Sequence, residues 1–136
     1  MSSFASIRII TTDLDRLVGF YERLLGRPAA RLNPLFAELR ASTGTLAFGD
    51  IATTKAFGAA AVQPAANRSV IIEVQVDDVD EVFSSLTTAE EADRPHVVQE
   101  PTTMPWGNRS AIVCDPDGNL VNLFAPVTAQ AQQRFA

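Results

Sequence analysis

Residues 7–15 and 72–80 carry the same pattern at a constant separation of 65 residues (72 − 7). The first copy is Ile7-Arg8-Ile9-Ile10-Thr11-Thr12-Asp13-Leu14-Asp15, and the second is Ile72-Glu73-Val74-Gln75-Val76-Asp77-Asp78-Val79-Asp80. A repeat of this kind confines the chain to two copies of one supersecondary unit. In each copy apolar residues first alternate, as along a strand, and then change to helical spacing. Leu14, Leu17, Val18, Tyr21, Leu24 and Leu25 form the first helical stripe. Asp13 is placed to cap its amides, Gly26 to end it in the left-handed conformation, and Pro28 to prevent its continuation. The second helix repeats the arrangement with Asp78 as cap and Val79, Val82, Phe83 and Leu86 as stripe.

Short extended runs follow each helix. Phe36 to Ala41 joins Thr45 to Gly49 through Ser42-Thr43-Gly44, and Ser110 to Cys114 joins Asn119 to Phe124 through Asp115-Pro116-Asp117-Gly118. Both are hairpin signals. A further strand is expected near Ala29 to Leu32 and near His96 to Gln99, so each half reads strand, helix, three strands. The expected fold is α+β, with two βαβββ modules forming curved mixed sheets within one domain of 1–136. Module one covers about 4–50, a linker 51–67, module two 68–126 and a tail 127–136. The Ala-rich linker reads as a surface connection with at most one helical turn, or as a lid. The polar tail reads as frayed or docked on a partner subunit.

Composition narrows the function. A length of 136 residues suits one domain with a real core. A single cysteine, Cys114, excludes an intrachain disulfide framework and any Cys-based zinc cluster. A single histidine, His96, excludes a multi-histidine metal site within one chain. The net charge of −5 argues against a nucleic-acid partner, because neutralising phosphates requires clustered Lys and Arg. No apolar run approaches the roughly 20 residues of a membrane span, and the start lacks a signal peptide's basic and apolar regions. The expectation is a cytoplasmic protein without membrane contact.

The duplicated unit, with Asp13-Leu14-Asp15 opening the first helix, Phe20-Tyr21-Glu22-Arg23-Leu24-Leu25-Gly26 closing it and Asp115-Pro116-Asp117-Gly118-Asn119 before the last strand, resembles the glyoxalase/bleomycin resistance protein/dioxygenase (vicinal oxygen chelate) superfamily. The resemblance covers residues 4 to 126. It implies sheets curved into an open cup, completed in a homodimer, with the ligand on the concave face. It also implies that enzymes of the family commonly hold a divalent metal with one side chain from the first and one from the last strand of each module. Counting from Asp13, Asp78, Gly44 and Gly118 places Ser6, Ile71, Phe48 and Asn122 at those positions. None is a histidine or carboxylate, so no metal and no cofactor is expected.

Strand alternation assigns the cup lining. Ser6, Arg8 and Ile10 face inward in the first module with Leu46, Phe48 and Asp50; Ile71, Glu73 and Gln75 do so in the second with Leu120, Asn122 and Phe124. Phe36, Glu38 and Arg40, with Ser110, Ile112 and Cys114, complete the lining. Arg8 and Glu73 occupy equivalent positions. Arg8 would orient a carboxylate or phenolate and Glu73 would take a proton or hold a ligand amine, or the two would simply neutralise each other. Trp106 would stack on a flat or cationic ligand, or cover core. His96 reads as solvated and Cys114 as a small hydrophobe. The expected ligand set is therefore Ser6, Arg8, Phe48, Ile71, Glu73, Gln75, Trp106, Asn122 and Phe124, with Glu73 and Arg8 the candidates for any catalysis. These residues suit a metal-independent protein that binds a small aromatic or amphipathic molecule, as in antibiotic resistance by sequestration. The rival is a lyase, isomerase or dioxygenase of the same superfamily, using Glu73 and Arg8 or a metal site not recognised, and a third reading is a module serving subunit association.

Overall fold

The computed structural model of the chain describes residues 1–58 and 61–136, so two residues of the connector lie outside the described residues. The chain divides into two compact units, Met1–Ala66 and Asn67–Ala136. The first contains β1 (Ser6–Thr11), α1 (Leu14–Leu25), β2 (Ala30–Asn33), β3 (Phe36–Ala41), β4 (Gly44–Asp50) and a 3-10 helix at Ile51–Phe57. Its sheet has the order β1-β4-β3-β2, with β1 parallel to β4 and the other pairs antiparallel. The second contains β5 (Ile71–Gln75), α2 (Val79–Thr87), β6 (His96–Thr103), β7 (Asn108–Cys114), β8 (Leu120–Pro126) and α3 (Ala129–Arg134). Its order, β5-β8-β7-β6, repeats the first. The fold is α+β, with two four-stranded mixed sheets built from the duplicated βαβββ unit.

Local chemistry fixes the helix ends as the sequence predicts. The carboxylates of Asp13 and Asp78 accept from the amides of Arg16 and Glu81, three residues on, at 3.2 and 3.1 Å. Gly26 closes α1 with a φ of 67°, and its amide donates to the carbonyl of Glu22. Leu14, Leu17, Val18, Phe20, Tyr21 and Leu24 are buried, so α1 lays its apolar stripe on the sheet. Each large side chain so covered contributes roughly 1.5–3 kcal/mol relative to exposure.

One sheet position departs from expectation. Phe48 is fully buried, and its ring centre lies 5.3 Å from that of Tyr21 on α1. It therefore packs under the helix, on the opposite face from Arg8. The register explains the slip: β1 and β4 pair Ser6 with Thr45 and Arg8 with Ala47, whereas β5 and β8 pair Ile71 with Leu120 and Glu73 with Asn122. Thr45 is thus the counterpart of Leu120, one position earlier than the Leu46 that matching Gly44 to Gly118 implies. Gly44 already pairs with Ala41 as part of β4, while Gly118, with a φ of 81°, sits in a turn before β8 begins. Ala47 and Gly49, not Leu46, Phe48 and Asp50, share the face of Arg8.

The ends of the units also differ from expectation. The connector opens with the 3-10 helix Ile51–Phe57, anchored where Asp50 accepts from the amide of Ala52 at 2.9 Å. The tail is not frayed: it forms α3, which packs in its own unit, with Ala131 buried and Thr128 capping the amide of Ala131 at 3.2 Å. The carbonyl of Gly107 accepts from the amides of Val127 and Thr128 at 2.9 and 3.2 Å, tying α3 to the turn between β6 and β7.

Candidate functional site

Each sheet has one face under its helix and one face turned from it. In the second unit Arg109 of β7 reaches Asp80 of α2, so Ala111 and Val113 face the helix and Ser110, Ile112 and Cys114 face away. Through the ladder, Leu120, Asn122 and Phe124 of β8 and Ile71, Glu73 and Gln75 of β5 share that open face. This is the face expected for these residues. In the first unit the same reasoning from Phe48 and Tyr21 places Ser6, Arg8, Ala47, Gly49, Phe36, Glu38 and Arg40 on the open face.

The central row of the second open face is Glu73, Asn122 and Ile112. The side-chain amide of Asn122 donates to Oε2 of Glu73 at 2.9 Å. A carboxylate can only accept, so the bond fixes which end of the amide faces Glu73. Oδ1 of Asn122 is buried and has no donor among the described residues. The matching row of the first unit is Arg8, Ala47 and Glu38, in which Glu38 accepts from Nε of Arg40 at 2.6 Å. Ala47, which sequence counting missed, is the small residue that separates Arg8 from Glu38. Arg8 and Glu73 thus each find a partner within their own unit: the guanidinium of Arg8 lies 5.5 Å from the ring centre of Phe57, and Glu73 holds Asn122. Both are exposed.

An aromatic residue follows the last strand of each unit and returns to its open face. Phe57, at the end of the 3-10 helix, stands over Arg8. Gly49 makes room for this helix, since a Cβ there would lie 3.0 Å from Oγ1 of Thr53. Phe135, just after α3, lies 5.0 Å from Phe124 between ring centres, and Phe124 is buried. Trp106 occupies the turn between β6 and β7 and is 61% exposed, which excludes the reading in which it covers core. Ser6, Ile71 and Gln75 are exposed. His96 is exposed at the start of β6, opposite Cys114. A hollow of about 490 Å³ in the first unit is lined by Ile51, Ala52, Thr54, Lys55, Gly58 and Val62, and it includes none of the expected ligand residues.

By the observed register, the strand positions that carry metal ligands in the resembled enzymes are Ser6, Ala47, Ile71 and Asn122. Ala47 and Ile71 have no donor atom, and Asn122 already gives its nitrogen to Glu73. Among the described residues no group of three His, Cys, Asp or Glu side chains gathers to hold an ion. Two neutral oxygens do not satisfy a zinc or transition-metal site, so these residues do not fit such a metal.

A sequence model of the Glyoxalase/Bleomycin resistance protein/Dioxygenase superfamily matches residues 3–123. No curated protein matches the sequence. Among solved structures, the fold is similar to a glyoxalase/bleomycin resistance protein/dioxygenase family enzyme from Burkholderia phytofirmans PsJN, with a TM-score of 0.76, 17% identity and coverage of 93% of this chain and 100% of that one. A glyoxalase-related enzyme from Fulvimarina pelagi has a TM-score of 0.76 at 20% identity, covering 96% of this chain and 95% of its own. A glyoxalase/bleomycin resistance protein/dioxygenase from Nocardioides has a TM-score of 0.70 at 22% identity, with coverage of 95% and 86%. At such identities the likeness is one of fold.

Proposed function

Because the chain belongs to the glyoxalase/bleomycin resistance protein/dioxygenase superfamily, and because the positions that carry the superfamily's metal ligands are here Ser6, Ala47, Ile71 and Asn122, we propose that it is a metal-independent small-molecule binding protein. The observation that carries this reading is the ligand row itself, where a residue with no donor atom stands in each unit. A protein that sequesters a drug requires affinity and no reacting group. The open face of the second unit supports that role, since it combines Ile71, Ile112 and Phe124 with the polar Glu73, Gln75 and Asn122, a mixture suited to an amphipathic ligand.

An acid–base enzyme working through Glu73 and Arg8 is the weaker reading. Both side chains are exposed, and each is held by a neighbour in its own unit. Native mass spectrometry of the purified protein tests the proposal. A non-covalent aromatic or amphipathic adduct, lost on denaturation and quenching Trp106 emission when added back, is the expected result. Turnover of a substrate that depends on a tightly bound metal would overturn it.

A further inference from the structure

The C-terminal segment covers one end of the second unit's open face, and beneath that cover two polar groups go unmet. We propose that residues 127–136 form a strap that opens without unfolding the unit and so gates a ring-binding patch on this face. The strap itself needs no ligand; its use as a gate rests on the binding-protein reading above. Phe124 marks the covered patch. It is buried, and Phe135 lies 5.0 Å from it between ring centres. Ser110, which pairs with Phe124 across the ladder, is buried on the same face. The ring of Phe135 thus takes, from within the chain, the place that an aromatic ligand would occupy on Phe124.

Along the strand direction Phe124 has a carboxamide on either side. Asn122 precedes it by two residues on β8, and Asn108 pairs with Pro126, two residues beyond it. Both lie on the open face, since Arg109, between Asn108 and Ser110, turns to α2. Oδ1 of each asparagine is buried without a donor among the described residues. A buried acceptor with no donor is a deficit of the closed state, which water or a ligand's N–H removes once the cover lifts. Little holds the cover in place. α3 has six residues, fewer than the roughly 12 below which a helix is marginal on its own. Of the described residues 127–136, Ala131 alone is buried; Phe135 is half-buried, with the guanidinium of the exposed Arg134 5.0 Å from its ring centre. The backbone bonds that tie the segment to the β6–β7 turn come from Val127 and Thr128, at its start. They act as a hinge, so the chain beyond Thr128 can swing while they stay made. β7 and β8, by contrast, are paired continuously from Asn108–Pro126 to Cys114–Leu120.

Hydrogen exchange read by mass spectrometry tests the strap in the full chain. The amides of Gln132 and Phe135, bonded to the carbonyls of Thr128 and Ala131, should exchange about a hundredfold faster than those of β7 and β8. Low urea should leave that rate unchanged, because local opening exposes little surface. N-Phenyl-1-naphthylamine, a neutral fluorescent arylamine with one N–H donor, tests the gate. It should bind Phe135→Ala about tenfold more tightly than the unaltered chain, the discount for a patch covered about nine-tenths of the time. It should also quicken exchange of the tail in the unaltered chain. Cooperative urea unfolding confirms that Phe135→Ala is folded, and Phe135→Leu replaces it if it is not. Tail amides that exchange only together with those of the core would overturn the strap and leave the binding-protein reading in place. Equal affinity for both chains, or binding that leaves tail exchange as it was, would overturn the gate alone. Binding to neither chain would overturn the gate and the placement of the ligand site on this face together.

Discussion

The guanidinium of Arg109 on β7 grips the carboxylate of Asp80 on α2 through two N–H donors, Nε at 2.6 Å and Nη2 at 2.9 Å. The pair ties the second helix to its sheet. The hydrogen bonds from Arg109 hold the Asp80 carboxyl below its ordinary value. A carboxyl group whose folded-state pKa is lowered adds stability above its unfolded value, and the contribution is lost as pH falls through the folded value. Arg109→Ala should therefore lower the melting temperature slightly at pH 7 and make no difference at a pH where Asp80 is protonated. High salt should shrink the effect, because the pair is solvent-exposed. Thermal melts of both proteins across acid pH check this, and a difference that persists in strong acid would show that Arg109 acts by packing alone.

Phe48 reports on the register of β4. Fully buried against Tyr21, it should cost about 3–5 kcal/mol when replaced by alanine, the range for truncating a buried aromatic side chain. Urea unfolding measures the loss. A change below about 1 kcal/mol would return Phe48 to the open face.

Gly107 holds the C-terminal helix. Its φ is 94°, and a Cβ there would fall 2.2 Å from Oγ1 of Thr128. Gly107→Ala should destabilise the protein by about 1–3 kcal/mol and expose the segment after Thr128 to proteolysis. Mass spectrometry of timed digests would show early cleavage in residues 128–136, and an unchanged digestion pattern would contradict the docking of α3.

Elemental analysis addresses the ligand row. With Ala47 and Ile71 at two of the four positions, the purified protein should contain no stoichiometric zinc, nickel, manganese or iron, and chelator should leave its melting temperature unchanged. Finding one tightly held ion per chain would refute the alignment of these positions with the metal ligands of related enzymes.

Assembly is the fifth expectation. Phe4, Ile7, Val70 and Ile71 are exposed on or beside the edge strands β1 and β5, and uncovered apolar edges of this kind favour pairing between copies. Light scattering should give a mass near twice the 14.6 kDa of one chain. A monomer at micromolar concentration would exclude the homodimer.

What was legible in the sequence was local. Asp13, Asp78 and Gly26 act on the backbone within four residues of themselves, so their roles could be read before any tertiary contact was known. The open face of the second unit was also legible, because Glu73, Gln75, Asn122 and Phe124 alternate with apolar neighbours. The face of β4 was not. Ala47, Phe48 and Gly49 are all buried, which removes the alternation that marks a half-exposed strand. Only its parallel pairing with β1, nearly forty residues earlier, decides which of them faces outward. The Glu73–Asn122 bond has the same origin: each residue was assigned to the face, but 49 residues separate them and the β5–β8 register brings them together. Phe135 was missed because a polar tail gives no periodic sign of the single aromatic ring that anchors it.

The two hairpins differ in length. Two residues lie between Ala41 and Gly44, and five between Cys114 and Leu120. Even so, Thr45 and Leu120 occupy the same place beside the first strand of their units. β4 and β8 are each hydrogen-bonded along both edges, so codons gained or lost in the turn cannot slide the strand, and the slack collects in the loop instead. A lineage can thus let these turns drift by insertion and deletion while every side chain on the open face keeps its address. Heritable change in length and heritable change in binding are thereby separated within each unit.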